Sequence, residues 1–182
     1  MRVIHTKENF KSPLHLACAK NDVHEFCKYV MFADNYMYAT DTHVMVKQHF
    51  DFCNVIDKEN LNGKAIHCED FRRIFKADRI IAKEKGVEFH FFKENLTGHF
   101  DYKTDVRMPD FDLVIKRCET VIETSCVQVN PKFIEVAAKC IYDDNERDGL
   151  VFTICDQNMI KIESKNYDNQ FAIIMTIPRE KY

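Results

Sequence analysis

The sequence carries a threefold repeat, and this constrains its fold more than any single motif does. Three stretches of about 60 residues each open with a short extended segment, pass through a helix and finish in extended segments, as repeated supersecondary units do. In the first, Arg2–Thr6 reads as a strand. Phe10, Leu14, Ala17 and Cys18 then recur at helical spacing, with Pro13 early in the helix, where its missing N–H does least harm. Val23–Ala33 fits either period. Its β-branched and aromatic content, ended by an Asp34-Asn35 turn, predicts a strand, followed by strands Tyr36–Thr40 and His43–His49. The second unit has a strand at Lys64–Cys68 and a helix over Glu69–Ala77 with Phe71, Ile74 and Phe75 inward. Strands Ile80–Ala82, Val87–Phe92 and Gly98–Tyr102 follow. The third has a strand at Val127–Val129 and a helix entered through Asn130 and Pro131. Its inner face is Phe133, Val136, Ala137 and Cys140, and strands Val151–Cys155, Met159–Ser164 and Phe171–Ile177 complete the unit. In the repeat alignment Phe71 falls on Phe133, Ile74 on Val136 and Phe75 on Ala137. Three such units with mainly antiparallel strands predict an α+β fold of layered sheets with the helices on one face. Residues 1–120 form a two-unit domain in this scheme, and 121–182 a half-domain.

Composition excludes several classes. The 182 residues are 46% hydrophobic, with only four Gly and four Pro and no low-complexity stretch, which argues against long disordered linkers. The opening MRVIHTKENF is too polar for a signal peptide, and the apolar runs Tyr29–Ala33 and Phe171–Ile177 are too short to span a bilayer, so a cytoplasmic protein with no membrane partner is expected. Eight cysteines without an export signal suit a reducing compartment. No CxxC occurs. His15-x-x-Cys18 followed by His24-x-x-Cys27 could supply tetrahedral zinc ligands, making a metal protein or enzyme one rival reading. The other is that Cys18 and Cys27 fill apolar positions beside two solvated histidines, and no metal or cofactor is expected. The chain has no phosphate-cradling glycine loop, HExxH or GxSxG, and it reads as non-enzymatic.

Four segments carry a family resemblance. Ala172-Ile-Ile-Met-Thr-Ile-Pro-Arg179 resembles the C-terminal strand of the bacterial DNA polymerase III sliding clamp, the β subunit. Ala17–Val46 resembles the first half of that clamp's middle domain, including its Ala-Thr-Asp turn. Met108-Pro-Asp-Phe-Asp-Leu-Val114 resembles the segment closing the middle domain, and Val127–Ala138 the helix entry of the last half-domain. The chain is thus similar to a middle domain joined to half of a last domain.

This resemblance implies a DNA-clamp-like fold and two surfaces. Clamp helices face duplex DNA without reading bases, a task for Lys and Arg on the solvent side. The second helix and its exit supply Arg72, Arg73, Lys76, Arg79 and Lys83, with Arg72, Lys76 and Arg79 expected on one helical face. Lys11, Lys20, Lys132 and Lys139 would add from the other two helices. The plain alternative is a solvated basic face. A pocket for a short apolar peptide of a replication partner is implied at Thr40, Thr42, His43 and Met45, Pro109 and Val114, and Ile173 and Met175. Three positions depart from the family: Thr42 where Gly is common, Val44 where Arg is common, and Thr176 where Pro is common. Asp41 is expected to cap a tight turn. The function implied is a processivity or tethering factor in DNA replication that binds duplex DNA non-specifically. The alternative is a clamp-fold interaction adaptor that does not encircle DNA. An odd number of units leaves a sheet edge exposed and predicts a homo-oligomer. About four chains would complete a ring of about twelve units.

Overall fold

The computed structural model describes residues 12–19, 24–122, 127–141, 149–155 and 158–177. The expected strand Arg2–Thr6, together with Phe10, Lys11, Lys20 and Val23, lies outside them. A 3₁₀ turn at Leu14–Ala17 and another at Glu25–Lys28 lead into β1 (Tyr29–Ala33), β2 (Tyr36–Thr40) and β3 (Val44–His49). Then come β4 (Val55–Ile56), β5 (Lys64–His67), α1 (Cys68–Ile74), β6 (Arg79–Ala82), β7 (Gly86–Phe91) and β8 (Leu96–Asp101). A further helix, α2 (Phe111–Arg117), precedes β9 (Gln128–Val129), α3 (Pro131–Cys140), β10 (Leu150–Cys155), β11 (Met159–Ser164) and β12 (Gln170–Ile177).

Local chemistry explains most of these boundaries. Asp34 and Asn35 both adopt positive φ, 51° and 65°, which closes a two-residue hairpin between β1 and β2 with the twist that antiparallel strands prefer. The Asn130 side chain accepts from the Lys132 N–H and Pro131 takes the first turn of α3. The Asp110 side chain caps α2 by accepting from the Leu113 N–H at 2.9 Å.

Two expected elements are corrected. The helix expected around Phe10–Cys18 is, among the described residues, only the single turn Leu14–Ala17, and Cys18 returns to extended backbone. The first part of Val23–Ala33 is not strand: Glu25–Lys28 turns so that Cys27 enters the core while its carbonyl accepts from the Ala19 N–H. Burial of one cysteine thus overrides the strand propensity of the segment.

The strands form two sheets. One runs β10-β11-β12-β3-β2-β1-β5, with β9 on the end of β12; the other is β4-β6-β7-β8, where the short β4 lies parallel to β6. The first strand of the second unit, β5, lies beside β1 of the first unit, so the units exchange strands. β12 pairs antiparallel with β3 from Gln170↔Gln48 to Ile174↔Val44, making one continuous sheet of the first and third units.

Strand alternation divides the large sheet into two faces. Val30, Phe32, Val44, Val46, Ile162 and Ile174 point one way, and over them pack the Leu14–Ala17 turn, Phe71 and Ile74 of α1, and Ala137 and Cys140 of α3. The Leu14–Ala17 turn, α1 and α3 therefore share one face, whereas α2, against the expectation of helices on one face only, covers the other. Met31, Tyr38, Met45, Phe171 and Ile173 point the other way and meet α2 through Phe111 and Val114.

A buried polar cluster sits on the seam between the first and third units. Gln48, fully buried, donates through Nε2 to Gln170 Oε1 at 2.9 Å and to the Cys140 carbonyl at 3.2 Å, and its Oε1 accepts from the Ser12 hydroxyl. Removing that amide takes a hydrogen-bond partner from each of three buried polar groups. Gln48→Met, which keeps the volume, is expected to cost about 3 kcal/mol, read as a lowered midpoint in chemical denaturation. An unchanged midpoint would show that the cluster does not hold the seam.

Candidate functional site

The site begins with the turn joining β2 to β3. Asp41 Oδ1 accepts from the N–H groups of His43 (2.9 Å) and Val44 (2.7 Å), and Thr40 Oγ1 accepts from the Thr42 N–H at 3.0 Å. The Asp41 cap is the one expected. These bonds hold Thr42 at φ 74°, a left-handed conformation unfavourable for a β-branched residue, at the position where the resemblance notes a common Gly. The His43 carbonyl accepts from the Met175 N–H at 2.9 Å, which brings the last strand onto the turn.

That junction opens into an apolar pocket of about 240 Å³. Its floor is the cross-strand pair Met45–Ile173, with Met159 and Met175, themselves paired, alongside. Thr40, Thr42 and His43 form one wall; Pro109, Phe111, Val114 and Arg117 form the opposite wall; Phe26 closes an end. All eight residues anticipated for a pocket line this one cavity. Val44 does not: it is buried under the helices on the other face. Thr176 also lies outside the lining, where its hydroxyl and N–H both donate to the Asn158 carbonyl at 2.8 Å, a bond a proline N could not make.

Phe26, Phe111, Arg117 and Met159 were not anticipated. For α2 the signal was present, since Phe111, Val114, Ile115 and Cys118 recur at i, i+3, i+4 and i+7 behind the N-capping Asp110. Phe111 anchors that helix by stacking on Tyr38, ring centroids 4.4 Å apart and 11° from parallel. Burial pushes the Tyr38 phenol well above its ordinary pKa. Behind the pocket, Cys118 lies 3.8 Å from the Met159 sulfur, and burial, with Cys155 nearby, pushes its thiol up to about 12. Both groups stay neutral at physiological pH.

The basic residues are more scattered. Arg72, Arg73, Lys76, Arg79, Lys83, Lys132 and Lys139 are all exposed, while Lys11 and Lys20 lie outside the described residues. The expectation that Arg72, Lys76 and Arg79 share a helical face is corrected. α1 ends at Ile74, tight turns carry the chain through Ala77, and the Asp78 N–H donates to the His90 carbonyl as Arg79 joins β6 opposite His90. The helix ends before both Lys76 and Arg79, so of the three only Arg72 lies on it. Arg72 is paired with Glu69 at 2.7 Å, Lys83 with Glu88 at 3.7 Å and Lys139 with Glu135. α1 and α3 nevertheless flank the same Leu14–Ala17 turn, so Arg72, Arg73, Lys132 and Lys139 belong to one layer of the molecule.

Cys27 is fully buried and Cys18 packs against the core, while His24 stacks on Phe26 with centroids 5.5 Å apart. Among the described residues no three His, Cys, Asp or Glu side chains converge as metal ligands, and no helix is long and apolar enough to cross a membrane.

No protein-family model matches the sequence, and no curated protein matches it. Solved structures do resemble it. The DNA polymerase III subunit beta of Borrelia burgdorferi, in complex with a natural product, superposes with a TM-score of 0.65 at 12% identity, over 95% of this chain and 63% of that one. The DNA polymerase sliding clamp of Bacillus subtilis gives 0.62 at 11% identity over 96% and 62%. A sliding clamp from Pseudomonas aeruginosa bound to griselimycin gives 0.54 at 11% identity over 93% and 64%. The chain therefore has the bacterial sliding-clamp fold and spans under two thirds of the length of the clamps it resembles.

Phe111→Ala is expected to loosen α2 and the pocket wall, costing about 3 kcal/mol. The check is denaturant unfolding together with amide exchange. Protection lost selectively over residues 111–117 is the expected result, and unchanged exchange there would show that the ring stack does not hold the wall.

Proposed function

We propose that this chain is a clamp-type tethering factor that holds a short apolar peptide of a replication protein while its helical layer meets duplex DNA. The observation that carries this reading is the apolar pocket at the meeting point of the β2–β3 turn, α2 and β12, on a molecule with the sliding-clamp fold. A cavity of this size accommodates one or two apolar side chains. Its methionines let it adapt to them, and its walls come from three different elements that close around an extended segment. Nothing in this role needs catalysis.

The DNA half of the proposal rests on Arg72 and Arg73 on α1, Lys76 in the turn after it, and Lys132 and Lys139 on α3, attracting phosphates without reading sequence. A second reading is the adaptor that binds the peptide but does not encircle DNA. It is favoured by the break in the basic array at Ile74 and by the carboxylates already paired with Arg72 and Lys139.

Self-association fits either reading. Among the described residues the outer edge of β10 is met only at its end, by Val121 and Ile122, leaving Val151 and Phe152 about half exposed on an uncharged strand. An open, apolar edge of this kind is a template for another chain. Light scattering over a concentration series is expected to give a closed oligomer of about four chains; a stable monomer would remove the ring and leave the adaptor.

Charge reversal separates the two readings. Arg72→Glu, Arg73→Glu, Lys76→Glu and Lys132→Glu combined are expected to weaken binding to a duplex of arbitrary sequence. The salt dependence should also flatten, by about 0.9 in log–log slope for each phosphate no longer neutralised. Unchanged affinity and slope would reject the DNA half and favour the adaptor.

A further inference from the structure

Four cysteines that lie far apart in the chain gather around the Leu14–Ala17 turn. Cys18 follows that turn, Cys68 opens α1, Cys140 closes α3, and the Cys27 carbonyl accepts from the Ala19 N–H at 2.8 Å. They do not make a metal site, since among the described residues no three His, Cys, Asp or Glu side chains converge. Two of them meet directly: Cys18 and Cys68 share a side-chain hydrogen bond that joins the first unit to the second. Cys140 is committed elsewhere, donating through Sγ to the Pro13 carbonyl at 3.6 Å. The bond from Cys18, helped by the neighbouring His67, holds the Cys68 thiol below its ordinary pKa against the opposing effects of burial and Glu69. The same bond, together with burial, pushes Cys18 well above it. The pair thus presents a thiolate beside a thiol. Cys53, Cys118 and Cys140 differ, for burial pushes each up to about 12, and they stay protonated and weakly nucleophilic at neutral pH. A small oxidant can reach the pair, because Cys18 is only half-buried and Cys68 keeps 4% exposure.

We propose that Cys18 and Cys68 are a peroxide-responsive pair that closes into a disulfide, fastening the N-terminal turn of the first unit to the helix of the second. The Cys68 thiolate attacks one oxygen of hydrogen peroxide. The S–O bond forms, the O–O bond breaks, and the departing hydroxide takes up a proton and leaves as water. The Cys18 sulfur then attacks the sulfur of the Cys68 sulfenic acid. The S–S bond forms, the S–O bond breaks, and hydroxide leaves with the Cys18 thiol proton as a second water. The two sulfurs together lose two electrons, which peroxide gains, and a dithiol reverses the change by exchange. The link closes a loop that contains β1 to β5, so it removes freedom from the unfolded chain and holds the turn on α1. It acts within the helical layer and stands independently of the tethering reading.

The test is treatment of the reduced full chain with a modest excess of hydrogen peroxide, followed by thiol titration under denaturing conditions and peptide mapping of linked cysteines. Two of the eight thiols are expected to be lost, with Cys18 joined to Cys68 within one chain, and dithiothreitol should restore both. The oxidised chain should also unfold at a higher urea concentration than the reduced one. Cys18→Ser should leave Cys68 as a sulfenic acid that dimedone traps at that residue, while Cys68→Ser should give neither the link nor an adduct at Cys18. The map of the unaltered chain decides the matter even where a variant folds poorly. Survival of all eight thiols, or oxidation whose main product is anything other than the Cys18–Cys68 link, such as Cys118 joined to Cys155, would overturn the proposal.

Discussion

The antiparallel pairing of β12 with β3 is the constraint on which the rest of the molecule depends. It joins segments more than a hundred residues apart in the chain, and so carries a loop-closure cost that local hairpins avoid. The gain comes from a continuous ladder, from Ile173 and Ile174 entering opposite cores, and from the buried Gln48–Gln170 contact. Those glutamines also restrict register. A slip of one residue would turn the apolar set of β12 to the wrong face and leave Gln48 buried without its partner, a penalty larger than most single packing losses.

Everything at the candidate site follows from that seam. Once β12 lies against β3, the Met175 N–H reaches the His43 carbonyl, and Met45 and Ile173 become the floor of a hollow that neither unit has alone. α2 completes it from the other side, held by the stack of Phe111 on Tyr38. Because strand residues alternate, the same strands serve two surfaces. Val44 and Ile174 support the helical layer while Met45 and Ile173 line the pocket. A substitution on one face is thereby separated from the other by the thickness of a sheet.

Much of the local structure was legible. The Asp34-Asn35 hairpin, the Asn130-Pro131 helix start and the strands of the third unit follow from turn chemistry and periodicity, and they stand close to where those rules put them. Misses occur where a distant partner outweighs local preference. Burial of Cys27 turns Glu25–Lys28 away from the strand its composition favours. Pairing of Arg79 with His90 ends α1 before the helical pattern of its sequence does. α2 is a different case, for its helical spacing was readable and its first residues lay within the segment that carried the family resemblance.

The sequence by itself determined the repeated units, the alternation that gives each strand two faces, and the clamp resemblance from which eight pocket residues were drawn. These depend on short-range periodicity and on side-chain type, which a linear chain displays directly. Only the tertiary structure decided that those eight surround a single cavity, that Phe26, Phe111, Arg117 and Met159 join them, and that Arg79 leaves the helical layer for a sheet. Each of these depends on which distant segment a residue meets, and in a chain whose strands pair across more than a hundred residues, spacing along the sequence carries no record of that choice.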